Sequence, residues 1–295
     1  MRILLYFFSG TGVTAYTAAV LAEQFRRAGQ QVDLVRYKRE TPVPDTKEYD
    51  LVGIGSPAYA YYPPRLFFTS LKTFPSANLP FFLFVTSHSA PGITAERLYR
   101  VMRRRGYRYF GPVFETTGIN NIRSWRAKEV GEATTNRPVP SAGGQETLYF
   151  TRPAEQWICE LLAKLTEWAA DGEGAAGHGT AGEGRGNRKC DSVKFRLGLY
   201  LFTTLFSYRW QMAVVEGIRK RIDEKRCTGC GLCVRKICPS GALRFDGEKP
   251  VPVIRHRLCV GCSGCLNLCP EGAVITTMSR KRKPYTGTKE YILNH

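Results

Sequence analysis

The sequence predicts an α/β protein, a doubly wound parallel sheet followed by a small, cysteine-rich α+β domain. Three observations carry this. Apolar runs at 3–8, 51–54 and 81–85 alternate with helix-like segments at 12–28, 64–74 and 91–105, the βαβ rhythm of a parallel sheet covered on both faces. Residues 171–189, DGEGAAGHGTAGEGRGNRK, hold glycine at nearly every second position and almost nothing to bury, which is the composition of a flexible linker. Beyond it, eight of the ten cysteines fall between Cys227 and Cys269.

The first unit is the clearest. Ile3 to Phe8 form a buried strand, and Ala15, Ala18, Ala19, Ala22 and Phe25 then follow the spacing of one apolar helix face, with Ala28-Gly29 as its stop. A second strand at 31–36, a strand near 108–115 and a helix near 153–170 complete five βα units. Residues 120–150 carry Arg, Pro and Gly with few apolar residues, and are expected to be an insertion or long loop. The expected domains are therefore 1–170, a linker over 171–190, an apolar connecting helical segment over 191–221, the cysteine-rich domain over 222–278 and a basic tail over 279–295.

Composition sets limits on function. With 295 residues the chain is long enough for two domains, and 43 Lys and Arg against 25 Asp and Glu give a formal net charge of +18. That field favours anionic partners. The apolar run at the N-terminus is shorter than the ~7–15 residues of a secretion signal, so a cytoplasmic protein is expected. In 195–215 the uncharged run from Leu197 to Tyr208 is too short to span a bilayer and is bracketed by Arg196 and Arg209. A docking helix is the preferred reading, with peripheral membrane contact as the alternative. The Arg280-Lys281-Arg282-Lys283 tail and the six arginines from Arg97 to Arg108 read as solvated faces, and no nucleic-acid partner is expected.

The cysteines form an internal repeat. Cys227, Cys230 and Cys233 are separated by two residues each and followed by Cys238-Pro239; Cys259, Cys262 and Cys265 repeat the spacing before Cys269-Pro270. The likeness continues in CPSGAL and CPEGAV. Three thiolates at this spacing can wrap one cubane, while the fourth lies in a segment leading to the other half. The expected ligand sets are Cys227, Cys230, Cys233 and Cys269 for cluster I, and Cys259, Cys262, Cys265 and Cys238 for cluster II. Zinc is a weak competitor, because a third cysteine two residues on has no place in C-x2-C tetrahedral geometry. The segment 222–278 resembles the bacterial-type ferredoxins with two 4Fe-4S clusters. One departure stands out: four residues separate Cys233 from Cys238 where that family has three, so a bulge is expected around Val234 to Ile237. Cys159 reads as a small core residue.

After the first strand come Ser9, Gly10, Thr11, Gly12, Val13 and Thr14, and then a helix, so that backbone N–H groups face any anion held there. Gly10, Gly12 and Ala15 formally satisfy a dinucleotide fingerprint, but three hydroxyls suit a terminal phosphate better, and the second strand ends at Arg36 rather than at the acid a ribose needs. The stretch resembles the flavodoxin phosphate loop, with Val13 where many members have Asn. Ser56, Pro57, Ala58 and Tyr59 after the third strand, and Ser87 and His88 after the fourth, look like the two flavin-facing loops of that family.

The resemblance implies FMN, and over most of the chain, apart from the insertion, the linker and the tail, it is to the flavodoxin-ferredoxin fusion proteins of anaerobes. It implies an electron-transfer protein that relays electrons between FMN and two 4Fe-4S clusters, coupling one- and two-electron carriers, with acidic electron carriers or redox enzymes as partners. The alternative is a flavin-dependent reductase of a small acceptor such as a quinone, with His88 or a loop tyrosine as proton source. Zinc-protease motifs and nucleophile triads are absent.

Overall fold

The computed structural model describes residues 1–87, 91–117, 139–140, 147–150, 153–170, 219–247, 250–276 and 292. Strands β1 (Arg2–Phe7), β2 (Gln31–Arg36), β3 (Leu51–Pro57) and β4 (Pro80–Ser87) pair in parallel in the order β2-β1-β3-β4. The fifth position is split: β5 (Arg108–Tyr109) and β6 (Phe114–Thr117) both run parallel to β4, at its start and its end. The strand expected near 108–115 is interrupted where Gly111 takes a φ of 78° and Pro112 has no N–H for the ladder. This 2-1-3-4-5 order is the flavodoxin-like doubly wound arrangement, and its carboxyl edge is where such sheets hold ligands. The insertion contributes too: β7 (Val139–Pro140) and β8 (Thr147–Phe150) add an antiparallel edge through β8 on β6.

Strand alternation divides the core. Ile3, Leu5 and Phe7 face α1 (Val13–Arg27) and α4 (Ala154–Ala170), whereas Leu4, Tyr6 and Phe8 face α2 (Arg65–Lys72) and α3 (Thr94–Arg104). Helix α1 ends as its sequence predicts. The Gly29 N–H donates to Arg26 O and the Gln30 N–H to Phe25 O, a complete Schellman motif. Trp157 of α4 is fully buried against Phe82 and Phe114 and donates its Nε1–H to Pro112 O at 3.0 Å, so this helix is pinned to the split in the fifth strand. Cys159 is exposed on the opposite side of α4, which buries Trp157, Ile158, Leu161 and Leu165 instead; the small-core reading of that cysteine does not hold.

The cysteine-rich segment is built on two short antiparallel pairs, β9 (Lys220–Ile222) with β12 (Val274–Thr276) and β10 (Leu243–Arg244) with β11 (Val253–Ile254), and on a short helix α5 (Gly264–Leu268). Its backbone repeats with its sequence: Gly229, Gly231 and Gly241 adopt positive φ, and so do their counterparts Gly261, Ser263 and Gly272. Ile237, Leu243, Cys265, Leu266, Leu268 and Val274 belong to the same apolar cluster as α1 and α4. The two halves thus share one packed core.

The expected linker, all but the last three residues of the connecting segment and most of the tail lie outside the described residues; Lys220 and Arg221, at the end of the segment expected to be helical, belong to strand β9 instead. Among the described residues no helix is long and apolar enough to cross a membrane. The arginine run is tied into its own fold: Arg103 and Arg105 donate to Tyr107 O and Phe74 O, and Arg108 to Asn78 Oδ1.

Candidate functional site

The loop Ser9–Thr14 stands at the carboxyl edge of β1, and Gly12, at a φ of 112°, turns the chain into α1. That left-handed turn is why a glycine belongs there. The N-terminus of α1 has no side-chain cap at Gly12 and no acidic residue in its first turn, which leaves its dipole available to an anion. Around it the hydroxyls are buried and ordered. Ser9 Oγ accepts the Ala15 N–H at 3.2 Å, and Thr14 Oγ1 lies 2.8 Å from Thr86 Oγ1 at the end of β4. The residues therefore fit a phosphate: a helix start with no cap at Gly12, three buried hydroxyls and no carboxylate in its first turn.

The other two loops converge on the same edge. Ser56 donates to Pro57 O, the Ala58 N–H donates to Thr86 O, and Tyr59 pairs back to Tyr62 across a turn whose central residues, Ala60 and Tyr61, have φ of 48° and 73°. Non-glycine residues in this region are strained, and such strain concentrates at functional loops. The Ile93 N–H donates to Tyr61 O, which closes the β3 loop on the loop after β4. Tyr59 is turned inward, with its ring edge-on to Phe8. Ser87 ends β4, and His88 lies outside the described residues.

The cysteines gather into two cavities, each lined by four. Cys227, Cys230, Cys233 and Cys269 line one, with Thr228, Glu271 and an apolar wall; Cys238, Cys259, Cys262 and Cys265 line the other. Each cavity takes three cysteines from one repeat and one from the other, the sharing that the spacing predicts. The first is the outer site, with Cys230 exposed, and the second the inner one, with Cys262 and Cys265 buried. Burial pushes the Cys233 thiol up to about 11 and Cys262 up to about 12, and the neighbouring cysteines add to both; Cys265 is likewise pushed well up. Clustered thiolates without a cation are thus disfavoured, and iron supplies that charge when bound. Polar donors already approach the inner sulfurs: Lys220 Nζ lies 3.8 Å from Cys259 Sγ and Ser240 Oγ 3.5 Å from Cys238 Sγ. The donor set and the burial fit a four-thiolate cluster in each cavity. Among the described residues no three of His, Cys, Asp and Glu are grouped for a single metal ion.

Residues 226–273 match the family model of the 4Fe-4S dicluster domain. The dicluster domain is also where curated relatives align. Indolepyruvate oxidoreductase subunit IorA of Pyrococcus horikoshii is 39% identical over 54 residues, covering 18% of this chain and 8% of that protein, and its Pyrococcus abyssi counterpart is 37% identical over 51 residues, covering 17% and 8%. The chain thus spans less than a tenth of the length of these relatives. A Streptococcus pneumoniae flavodoxin matches 56% of this chain and 99% of its own at 16% identity and a TM-score of 0.40, and oxidised flavodoxin 1 of Bacillus cereus matches 39% and 83% at 16% and 0.35. The flavodoxin-like assignment rests on the strand order described above.

The inner cavity of the dicluster domain lies directly on the phosphate-type loop. A Cβ added to Gly10 would stand 2.7 Å from Cys262 Cβ and 2.7 Å from Tyr59 Oη, and one added to Gly264 would stand 2.5 Å from Gly10 O. Only a pair of glycines permits this approach. Arg36 completes the contact, donating to Ser9 O on one side and to Lys236 O and Ile237 O on the other. Sequence reading noted Arg36 only as a residue that is not acidic, and it missed Lys220; neither belongs to a motif.

Proposed function

We propose that the protein is an electron-transfer relay in which a flavin mononucleotide on the flavodoxin-like domain exchanges electrons with two 4Fe-4S clusters in the dicluster domain. The coarser statement, that a flavodoxin-like sheet and a 4Fe-4S domain together support electron transfer, stands on the topology and the family match. The observation that carries the finer one is the contact of Gly10 with Cys262, which puts the loop suited to a phosphate against the inner cysteine cavity.

In this reading Ser9, Gly10, Thr11, Gly12, Val13 and Thr14 hold the phosphate, and Ser56, Pro57, Ala58, Tyr59, Ser87 and His88 bound the ring. The outer cluster is held by Cys227, Cys230, Cys233 and Cys269, and the inner one by Cys238, Cys259, Cys262 and Cys265. When bound, the flavin takes one or two electrons while iron-sulfur clusters pass them singly, so the pair links two kinds of carrier. The chain's own residues position the groups and exclude water: the shared core and the buried inner thiols keep the path between the sites dry. Redox partners meet the more exposed outer site, and the +18 charge of the chain favours acidic ones. The IorA relatives share the dicluster segment alone, so their printed activity adds no substrate to this reading.

The test is flavin, iron and sulfide counted on one anaerobically purified sample. One FMN and about eight irons per chain are expected. Iron without flavin, even after reconstitution with FMN, would leave the N-terminal domain as a docking module and overturn the relay.

A further inference from the structure

Arg36 is the last residue of β2 and is 9% exposed. Its Nε and Nη2 donate to Ser9 O at 3.1 and 2.9 Å, Nη1 to Lys236 O at 2.9 Å, and Nη2 also to Ile237 O at 2.9 Å. All three acceptors are neutral carbonyls. Among the described residues it has no carboxylate partner, although an isolated buried guanidinium is costly to desolvate. Burial lowers its pKa, and the groups that oppose this are Cys262, Tyr59 and Cys238. Two of those three line the inner cavity.

The acceptors on the dicluster side come from the one irregularity in its repeat. Residues Cys233–Ile237 form a π-helix, closed by the Cys238 N–H on Cys233 O at 3.0 Å, where the second repeat has the α-helix α5. A π-turn absorbs one added residue, and it leaves its last carbonyls without helical donors. Lys236 O and Ile237 O are those carbonyls, and Arg36 satisfies both. A second cation attends the inner cavity: Lys220, 2% exposed, with Nζ 3.8 Å from Cys259 Sγ. The outer cavity is lined instead by Glu271, and burial and other cysteines alone raise Cys233.

We infer that Arg36 is a positioning residue that clamps the inner cluster onto the flavodoxin-like domain and, as its buried counter-charge, holds the reduction potential of that cluster up without affecting the outer one. The inference rests on the cluster reading proposed above. An oxidised cluster with four thiolates carries about −2 and gains a further negative charge on reduction, so a fixed cation nearby favours the reduced form.

The experiment is an EPR-monitored redox titration of the full chain, purified anaerobically, comparing wild type with R36M. Iron and sulfide are counted first. A wild-type chain without two clusters sinks the cluster reading itself, whereas the variant comparison bears on Arg36 alone. With iron retained, R36M should lower the midpoint of one cluster by roughly tenfold in its reduction equilibrium, ~59 mV for a one-electron couple, and leave the other in place. R36K keeps the charge and loses the fork, and should recover most of that shift. Unchanged midpoints, or two midpoints that move together, overturn the inference. Where R36M loads poorly, R36Q, which keeps one donor for Ser9 O but no charge, is titrated in its place with the same two outcomes.

Discussion

Gly10 has two roles that its motif does not separate. In the proposed phosphate loop it belongs to the turn into α1; as a residue without a Cβ it lets Cys262 and Tyr59 close on that turn. Gly10→Ala adds a methyl into contacts that are already tight on both sides. Overpacking of this kind costs about 1–3 kcal/mol, and an unfolding free energy lowered by that amount, read as a lower urea denaturation midpoint at unchanged m-value, is the expected outcome. A midpoint equal to wild type would mean that the two surfaces do not meet at Gly10. The loop stands out in the sequence because its glycines and hydroxyls are local. The contact does not stand out, and still less does Arg36, whose acceptor Lys236 O lies 200 residues away. A buried arginine whose acceptors are backbone carbonyls leaves no pattern in the sequence.

Element by element, the first unit was the most legible because each of its signals agrees. β1 is apolar from Ile3 to Phe7, the apolar positions of α1 share one face, and Ala28-Gly29 ends it in a Schellman motif. The fifth strand was less legible, since nothing at Gly111-Pro112 distinguishes a turn from a break within one strand position. In the dicluster domain the extra residue before Cys238 gave a bulge at the expected place, and its form as a π-helix follows from adding one residue to a helical turn whose ends are fixed. Deleting Val234 restores three-residue spacing and turns the Lys236 and Ile237 carbonyls away from Arg36. The expected result is full iron content with a lowered urea midpoint. Loss of about half the iron would show that the π-turn places Cys238 itself, rather than the joint.

At the scale of the whole molecule, two halves of different composition fold onto one core, in which Ile237, Leu266 and Val274 join Leu21, Phe25 and Trp157. The expected domain bounds describe the chain's composition; the packing runs across them. Unfolding followed by tryptophan fluorescence and by visible cluster absorbance should therefore give coincident transitions. Two separated transitions would contradict the shared core. In the relay proposed above, the same continuity removes any docking step between the inner cluster and the flavin. The most direct measurement is the rate at which electrons redistribute between flavin and clusters after rapid partial reduction of the loaded protein, recorded over a range of protein concentrations. The account predicts a first-order rate that does not change with concentration. A rate that rises in proportion to concentration, or a flavin that never equilibrates with the clusters, would contradict it.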